Sequence, residues 1–517
     1  MRIEASTDQT ETSLPVTTAS SSSSSNDNID TMTSQSSQPP TASALKYVPY
    51  CCRYSTGPLE ATGLSIDFYA RAVVLMSSIF MGPALLELAT EAAGCPNEQD
   101  CNARIWLFMK PSSLLSNIAI VTGITVSLGM PLIGAMVDYT NQRRRVGAYT
   151  AYLLAVSKGI EACVSQRTWV LVAAMQIVSG VVYFCHTTAG YAYNAELSND
   201  SVQQTKYNTY YFFVLYMSTL FFLAQVLVVS TLLDTGDVGT ARISQIITSV
   251  TSAIAFGWAW TCFFSDRPAA RPLPDNTTLL SAGFRKTTRT FWSVRTRLPY
   301  LWWLMCSVAV TESATAALIT IATTYMAHFL DMDSSQIGVV FIVVLLTGVP
   351  GSRVGHILGV WYNPLRSAQV CILYFIVVTV IAAFVLTDPS RSDYTVLFGA
   401  FWGIGLGWLH PMNSTMFMTM SPAHSRTEYM GLYIFCGQVL SWMPPLVFTA
   451  VNEANVSMSI GLASLNVFFL VGFFCLVMIG RYDNAVAAVS QTSSIRTDDH
   501  VYVSGSDVAT VELPSLA

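Results

Sequence analysis

Residues 304–322 read LMCSVAVTESATAALITIA and carry one ionisable side chain, Glu312, with apolar turns on both sides. An ionised group inside a membrane-length apolar run costs about 2.5–3.5 kcal/mol on insertion scales, so it marks a pathway or a partner. A carboxyl there suits a proton carrier or the partner of a substrate ammonium. It also suits a structural hydrogen bond to a neighbouring helix. A second pair lies near the start of the first apolar run, where Arg71 follows Asp67 by four residues. That spacing stacks the two on one helix face, so they form an ion pair at the mouth of the helix. Alternatively, Arg71 offers its guanidinium fork to a substrate carboxylate, and a zwitterion would find Arg71 and Glu312 in opposite halves of the chain. No His/Asp cluster for a metal, no nucleophile motif and no phosphate-binding glycine loop is present, which points away from an enzyme, a cofactor or an ATP-driven pump.

The elements that position these groups follow from composition. The chain has 517 residues, 52% hydrophobic and 11% charged, with a mean hydropathy of +0.47. A soluble chain averages roughly 25% charged residues. Apolar runs of about 20 residues, the length of a membrane-crossing helix, recur along the sequence. They predict an all-α membrane protein of twelve spans, with its lipid bilayer as the main macromolecular partner. The first six lie near 66–92, 112–137, 146–165, 168–192, 208–233 and 241–264, and the second six near 300–328, 335–360, 367–387, 394–419, 429–452 and 458–480.

Residues 1–60 form a Ser-rich tail expected to be disordered, as is 481–517, because neither buries enough apolar area to offset ordering entropy. The halves are then 61–264 and 300–480, joined by a basic linker, 265–299. Arg143, Arg144, Arg145, Lys206, Arg366 and Arg426 fall with that linker on one side. Few basic residues fall on the other, which places both termini and the linker in the cytoplasm. The net charge of −5 and the absence of a basic aromatic patch argue against nucleic acid. Cys95 and Cys101, in GCPNEQDC, could close a disulfide on the opposite side. Cys51 and Cys52, just before the first span, are candidates for palmitoylation.

Within SRTEYMGLYIFCGQVLSWMPPL, residues 425–446, Gly431 and Gly437 permit close packing or bending. Pro444 and Pro445 break the helix where neighbours can satisfy the freed carbonyls, and Gln438 is a polar group able to line a cavity. The loop GAMVDYTNQRRR, residues 134–145, offers a small residue for helix packing, then Asp138 and the arginines Arg143 and Arg144. With Asp67, these are candidate gating charges.

Six spans, a basic loop and six more resemble the plan of the major facilitator superfamily, whose halves enclose a midplane site. The 134–145 loop resembles its loop motif. Glu428, Gly431, Leu432, Tyr433, Gly437, Ser441 and Pro445 are similar to the pattern in the vacuolar amino-acid effluxer branch linked to autophagy. That resemblance implies a secondary active or facilitative transporter, working as a monomer. It would export small polar solutes, amino acids first, from an acidic vacuolar or lysosomal lumen to the cytosol, with protons as a possible co-substrate. It also implies that Gln438, His410 and Asn413 line the cavity. The branch commonly has a basic residue where Gln438 stands, and a Gln and a Ser-Arg-Ser cluster where His410 and Asn413-Ser414-Thr415 stand. These departures leave open a sugar, an organic cation or a drug-like molecule as solute, a plasma-membrane location, and a non-transporting receptor on the same fold.

Overall fold

The computed structural model describes residues 58–95, 103–105, 109–198, 201–269, 272–274, 276–422 and 426–489. Cys51, Cys52, Cys101 and most of both tails lie outside these residues. The first half comprises α1 (Leu59–Ala92), α2 (Leu114–Tyr139), α3 (Arg143–Glu161), α4 (Trp169–Ala195), α5 (Ser201–Leu232) and α6 (Asp237–Cys262). After α7 (Leu279–Arg297) the second half runs α8 (Pro299–Thr324), α9 (Ser334–Trp361), α10 (Pro364–Val385) and α11 (Tyr394–Met420). Its last two spans are each in two pieces, α12 (Arg426–Val439) with α13 (Met443–Glu453), and α14 (Met458–Ala463) with α15 (Leu465–Met478). These make twelve crossings. The end of the bundle at which α2 finishes and α7 lies is termed the linker end, and the other the far end.

Length and hydropathy alone single out nine spans among the described residues, omitting α3, α6 and α11. The reason in α6 is a buried polar face of Thr240, Ser244, Gln245, Thr248 and Ser252. Ser244 and Gln245 donate to the Ser77 carbonyl of α1, and Ser249 to the Ala155 carbonyl of α3. Polar residues that bond within the bundle lower hydropathy without meeting lipid. The first helix of each half, α1 and α8, is the most enclosed.

Small residues draw two helices of the second half together. A Cβ on Gly407 of α11 would lie 1.9 Å from the Gly348 carbonyl oxygen of α9, and one on Gly351 would lie 2.2 Å from that of Ile404. The backbones of α9 and α11 therefore touch directly, the packing that small residues permit in membranes.

Three expectations are corrected. The 265–299 linker is not a plain loop, because α7 occupies 279–297 and is opened by a reciprocal cap between Thr278 and Ser281. Its buried face, Ala282, Gly283, Thr290 and Val294, recurs at helical spacing and docks on α2, α8 and α12. The tail after 480 is helical over 482–489, with Ala485 buried and the Tyr482 hydroxyl donating to Thr419 Oγ1 at 3.0 Å. Gly134 is not a close-packing point, since a Cβ there would meet nothing within 4 Å. The close approach to α2 is made by α7, where a Cβ on Gly283 would fall 2.1 Å from the Pro131 carbonyl oxygen.

Candidate functional site

Glu312 lies midway along α8 and is shared by two residues of α11. Asn413 Nδ2 donates to Oε1 at 3.0 Å, and His410 Nδ1 lies 3.0 Å from Oε1 and 2.9 Å from Oε2. His410 precedes Pro411, which sits inside α11. The Glu312 side chain is 17% exposed and that of His410 48%, so the pair is accessible rather than sealed in a core. Asn413 is buried behind them and fixes the carboxylate. Three sequence candidates thus converge on one acidic centre.

The first half carries a complementary centre. Arg71 Nε lies 2.8 Å from Asp67 Oδ2, and both side chains are at most 3% exposed. The expected pair exists, but it is not at a solvated mouth, which corrects the gating assignment of Asp67. Its other oxygen, Oδ1, accepts from His186 Nε2 at 2.8 Å and Trp260 Nε1 at 2.9 Å. With its proton on Nε2, the His186 ring accepts at Nδ1 from the Thr150 hydroxyl at 3.1 Å. The Asp67–Arg71 contact is close but off-line for a hydrogen bond, and the buried Nη2 of Arg71 has no acceptor. That guanidinium stacks over Phe68 at 3.9 Å and faces Tyr191 at 5.7 Å.

Tyr191 faces the Arg71 guanidinium of the first half, and Tyr433 of α12 is half-buried and stacks at a tilt on Phe417 of α11, 4.6 Å between ring centres. His186 and Trp260 were not legible as site residues, because their partner Asp67 comes from a distant helix. The one signal was a lone histidine in an apolar span.

The broken span borders the same region. Between α12 and α13 the helix opens over 440–442, just ahead of Pro444 and Pro445, which begin α13. Freed carbonyls find donors: Ser127 Oγ of α2 and Trp442 Nε1 both reach the Val439 oxygen at 3.1 Å. A Cβ on Gly431 or Gly437 would meet nothing within 4 Å. Those glycines therefore serve no close packing, which leaves bending and open space. Gln438 is half-buried beside the break.

At the linker end, the candidate gating charges do not pair with one another. Asp138 pairs with Lys286 of α7. Arg143 contacts Glu196 and donates to the Val137 carbonyl, while Arg144 lies 3.6 Å from Asp266. Arg267 bridges Glu196 and Glu60. Burial alone would raise the pKa of Glu196, but hydrogen bonds and charge from Arg143 and Arg267 outweigh it and hold the carboxyl below the ordinary range.

Hydrogen bonds joining the two halves gather at the far end. Lys110, just ahead of α2, donates through Nζ to the Asn452 carbonyl at 2.8 Å and to Asn455 Oδ1 at 2.7 Å. Its backbone N–H and the Ser113 hydroxyl both donate to Glu453 Oε1, at 2.8 and 2.7 Å. Asn452 Nδ2 reaches Ser112 and Ser113, and Asp237 of α6 accepts from the Ser334 N–H of α9. Cys95, close by in sequence, is disulfide-bonded, and Cys101 lies outside the described residues.

Solved structures share this architecture. The nucleoside transporter NupG, in a point-mutant form, aligns with a TM-score of 0.54 at 11% identity, covering 82% of this chain and 100% of its own. The human organic anion transporter MFSD10 (TETRAN) gives 0.54 at 14%, over 81% and 99%. The xylose transporter XylE from E. coli, in an inward-open conformation, gives 0.54 at 11%, over 82% and 96%. At such identities the likeness establishes the fold. Comparison with curated proteins returns no match. A family model described as Major Facilitator Superfamily matches residues 68–445, from the Asp67–Arg71 centre to the second proline of the broken span, and the chain belongs to that superfamily.

Proposed function

We propose that this transporter moves amino acids, or closely similar small polar solutes, out of an acidic vacuole- or lysosome-like lumen into the cytosol by alternating access. The observation that carries the reading is the pairing of opposite charges across the halves. Glu312, held by His410 and Asn413, offers a carboxylate to a substrate ammonium. On α1, the buried Nη2 of Arg71 still lacks an acceptor and suits a substrate carboxylate. Tyr191, beside Arg71, would offer an aromatic face to a small zwitterion held between the two charges. Gln438 and the α12–α13 break supply an adjustable wall. The Asp138–Lys286 pair is assigned to gating, because it ties the linker helix to a moving span.

A second reading has one specific support. Asp67 already offsets the charge of Arg71, which leaves Glu312 as the acidic centre of the site and favours an organic cation without a carboxylate.

Efflux from proteoliposomes preloaded with mixed amino acids and simple organic amines, with and without an acid-inside gradient, tests both. Selective amino-acid release by the wild type, lost in Glu312→Gln and in Arg71→Gln, is expected. Release of amines alone, indifferent to Arg71→Gln, would favour the organic cation. No release of either class would defeat both readings.

A further inference from the structure

The linker helix α7 carries a face that the transport reading does not use. Its inner side is spent on packing. Gly283 sits against Pro131 and Ala135, and Lys286 pairs with Asp138 at the end of α2. Pro131 precedes the last residue of α2, Tyr139, by eight positions, about 12 Å of helix rise. So α7 lies along the last two turns of a membrane span, where hydrocarbon gives way to headgroups. It then runs directly into another span, since α7 ends at Arg297 and α8 starts at Pro299.

The outward side is both greasy and cationic. Leu280 is 51% exposed, Phe284 40% and Trp292 51%, large apolar side chains that water would not favour. Between them, one turn apart, stand Arg285 and Arg289, both exposed. Among the described residues no carboxylate pairs with either. Phe284, Arg285, Thr288, Arg289 and Trp292 fall on one face of α7 and border a shallow recess open to its surroundings. The Arg295 guanidinium lies over the Trp292 ring at 5.1 Å, which braces the aromatic wall of the recess.

We propose that this recess binds the headgroup of an anionic phospholipid, with Arg285 and Arg289 on the phosphate and the acyl chains along Leu280 and Phe284. Three features select a lipid over a soluble anion. The two arginines form a fork for a phosphate. The flanking residues are apolar and point outward where a soluble ligand would leave them wet. The helix lies at interfacial depth, where an amphipathic basic helix gains from apolar burial and anionic lipid together. Because α7 is tied to α2 and continues into α8, an occupied recess would bear on the junction between the two halves.

The test titrates the purified full-length chain in detergent micelles with fluorescent phosphatidylserine, against fluorescent phosphatidylcholine. Inorganic phosphate serves as a soluble competitor. Preference for phosphatidylserine is expected. At about fivefold per arginine, Arg285→Gln with Arg289→Gln should weaken binding roughly 25-fold. Arg391→Gln, an exposed arginine at the far end, should leave binding unchanged. Phe284→Ser should weaken both lipids, because it removes the apolar wall. Equal binding of the two lipids by the wild type, equal losses in Arg391→Gln, or displacement by millimolar phosphate would each overturn the proposal.

Discussion

Lys110→Met removes the cation that fastens the far end while keeping most of its aliphatic stem. The lysine is 6% exposed and spends its ammonium on the Asn452 carbonyl and Asn455 Oδ1, at 2.8 and 2.7 Å. A hydrogen bond to a charged group contributes about 1.5–3 kcal/mol net. When the end opens the ammonium regains water, so the loss counts against the closed state alone. Taking about 2 kcal/mol for the two together, below their simple sum of about 3–6 kcal/mol because they share one ammonium, the balance between closed and open far ends should shift roughly 30-fold toward open. The Lys110 backbone N–H and Ser113 still hold Glu453 in the variant, so opening is favoured without the halves coming apart. Spin labels at Arg167 and Thr387, exposed positions on far-end connections of the two halves, in a background without other accessible thiols, report the separation by electron double resonance. A longer-distance population should grow from minor to dominant. An unchanged distance distribution would refute the reasoning and assign closure to apolar contacts such as Gly338 against Leu227 and Phe80.

The charge cluster at the linker end gives a pH signature. The folded-state pKa of Glu196 is depressed, so its stabilising contribution is present above the ordinary carboxylate value and is lost as pH falls through the folded pKa. Glu196→Gln should lower stability modestly at neutral pH and flatten the acid limb, the two curves converging at low pH; an acid limb identical to the wild type would show that Glu196 carries none of it. Gly147→Ala probes the Asp67 centre from outside, because the added Cβ would lie 2.0 Å from the Trp260 ring. Displacing the indole that donates to Asp67 should cost about 1–3 kcal/mol of stability by overpacking and lower transport beyond what protein level explains. Normal transport per folded molecule would show that the Trp260 hydrogen bond does not serve the site.

The parts legible in the sequence are those written in local pattern. Apolar run length marked most of the spans, nine of them clearly among the described residues, and an isolated charge inside one marked Glu312, whose partners His410 and Asn413 were named through the family resemblance. The linker helix was missed because its stripe of Ala282, Gly283, Thr290 and Val294 is made of small or polar residues that resemble a loop. The Asp67 centre was half-read: the spacing to Arg71 gives the pair, but His186 and Trp260 arrive from other helices, and no local pattern encodes that meeting. Gly134 shows the converse error. A loop motif suggested close packing there, whereas the tight approach is made by Gly283 from a helix far along the chain.

The direct backbone contact between α9 and α11 also bears on how force is carried. Gly407 backs so closely onto α9 that an added Cβ would lie 1.9 Å from the Gly348 carbonyl oxygen, so the two backbones meet with no side chain between them to absorb a displacement. The two must swing as one stiff lever. Because His410 and Asn413 ride on α11 while Glu312 rides on α8, any swing of that lever pulls directly on the contacts around the carboxylate. Letting go of Glu312 and shifting the α9–α11 pair against α8 would then be a single mechanical event.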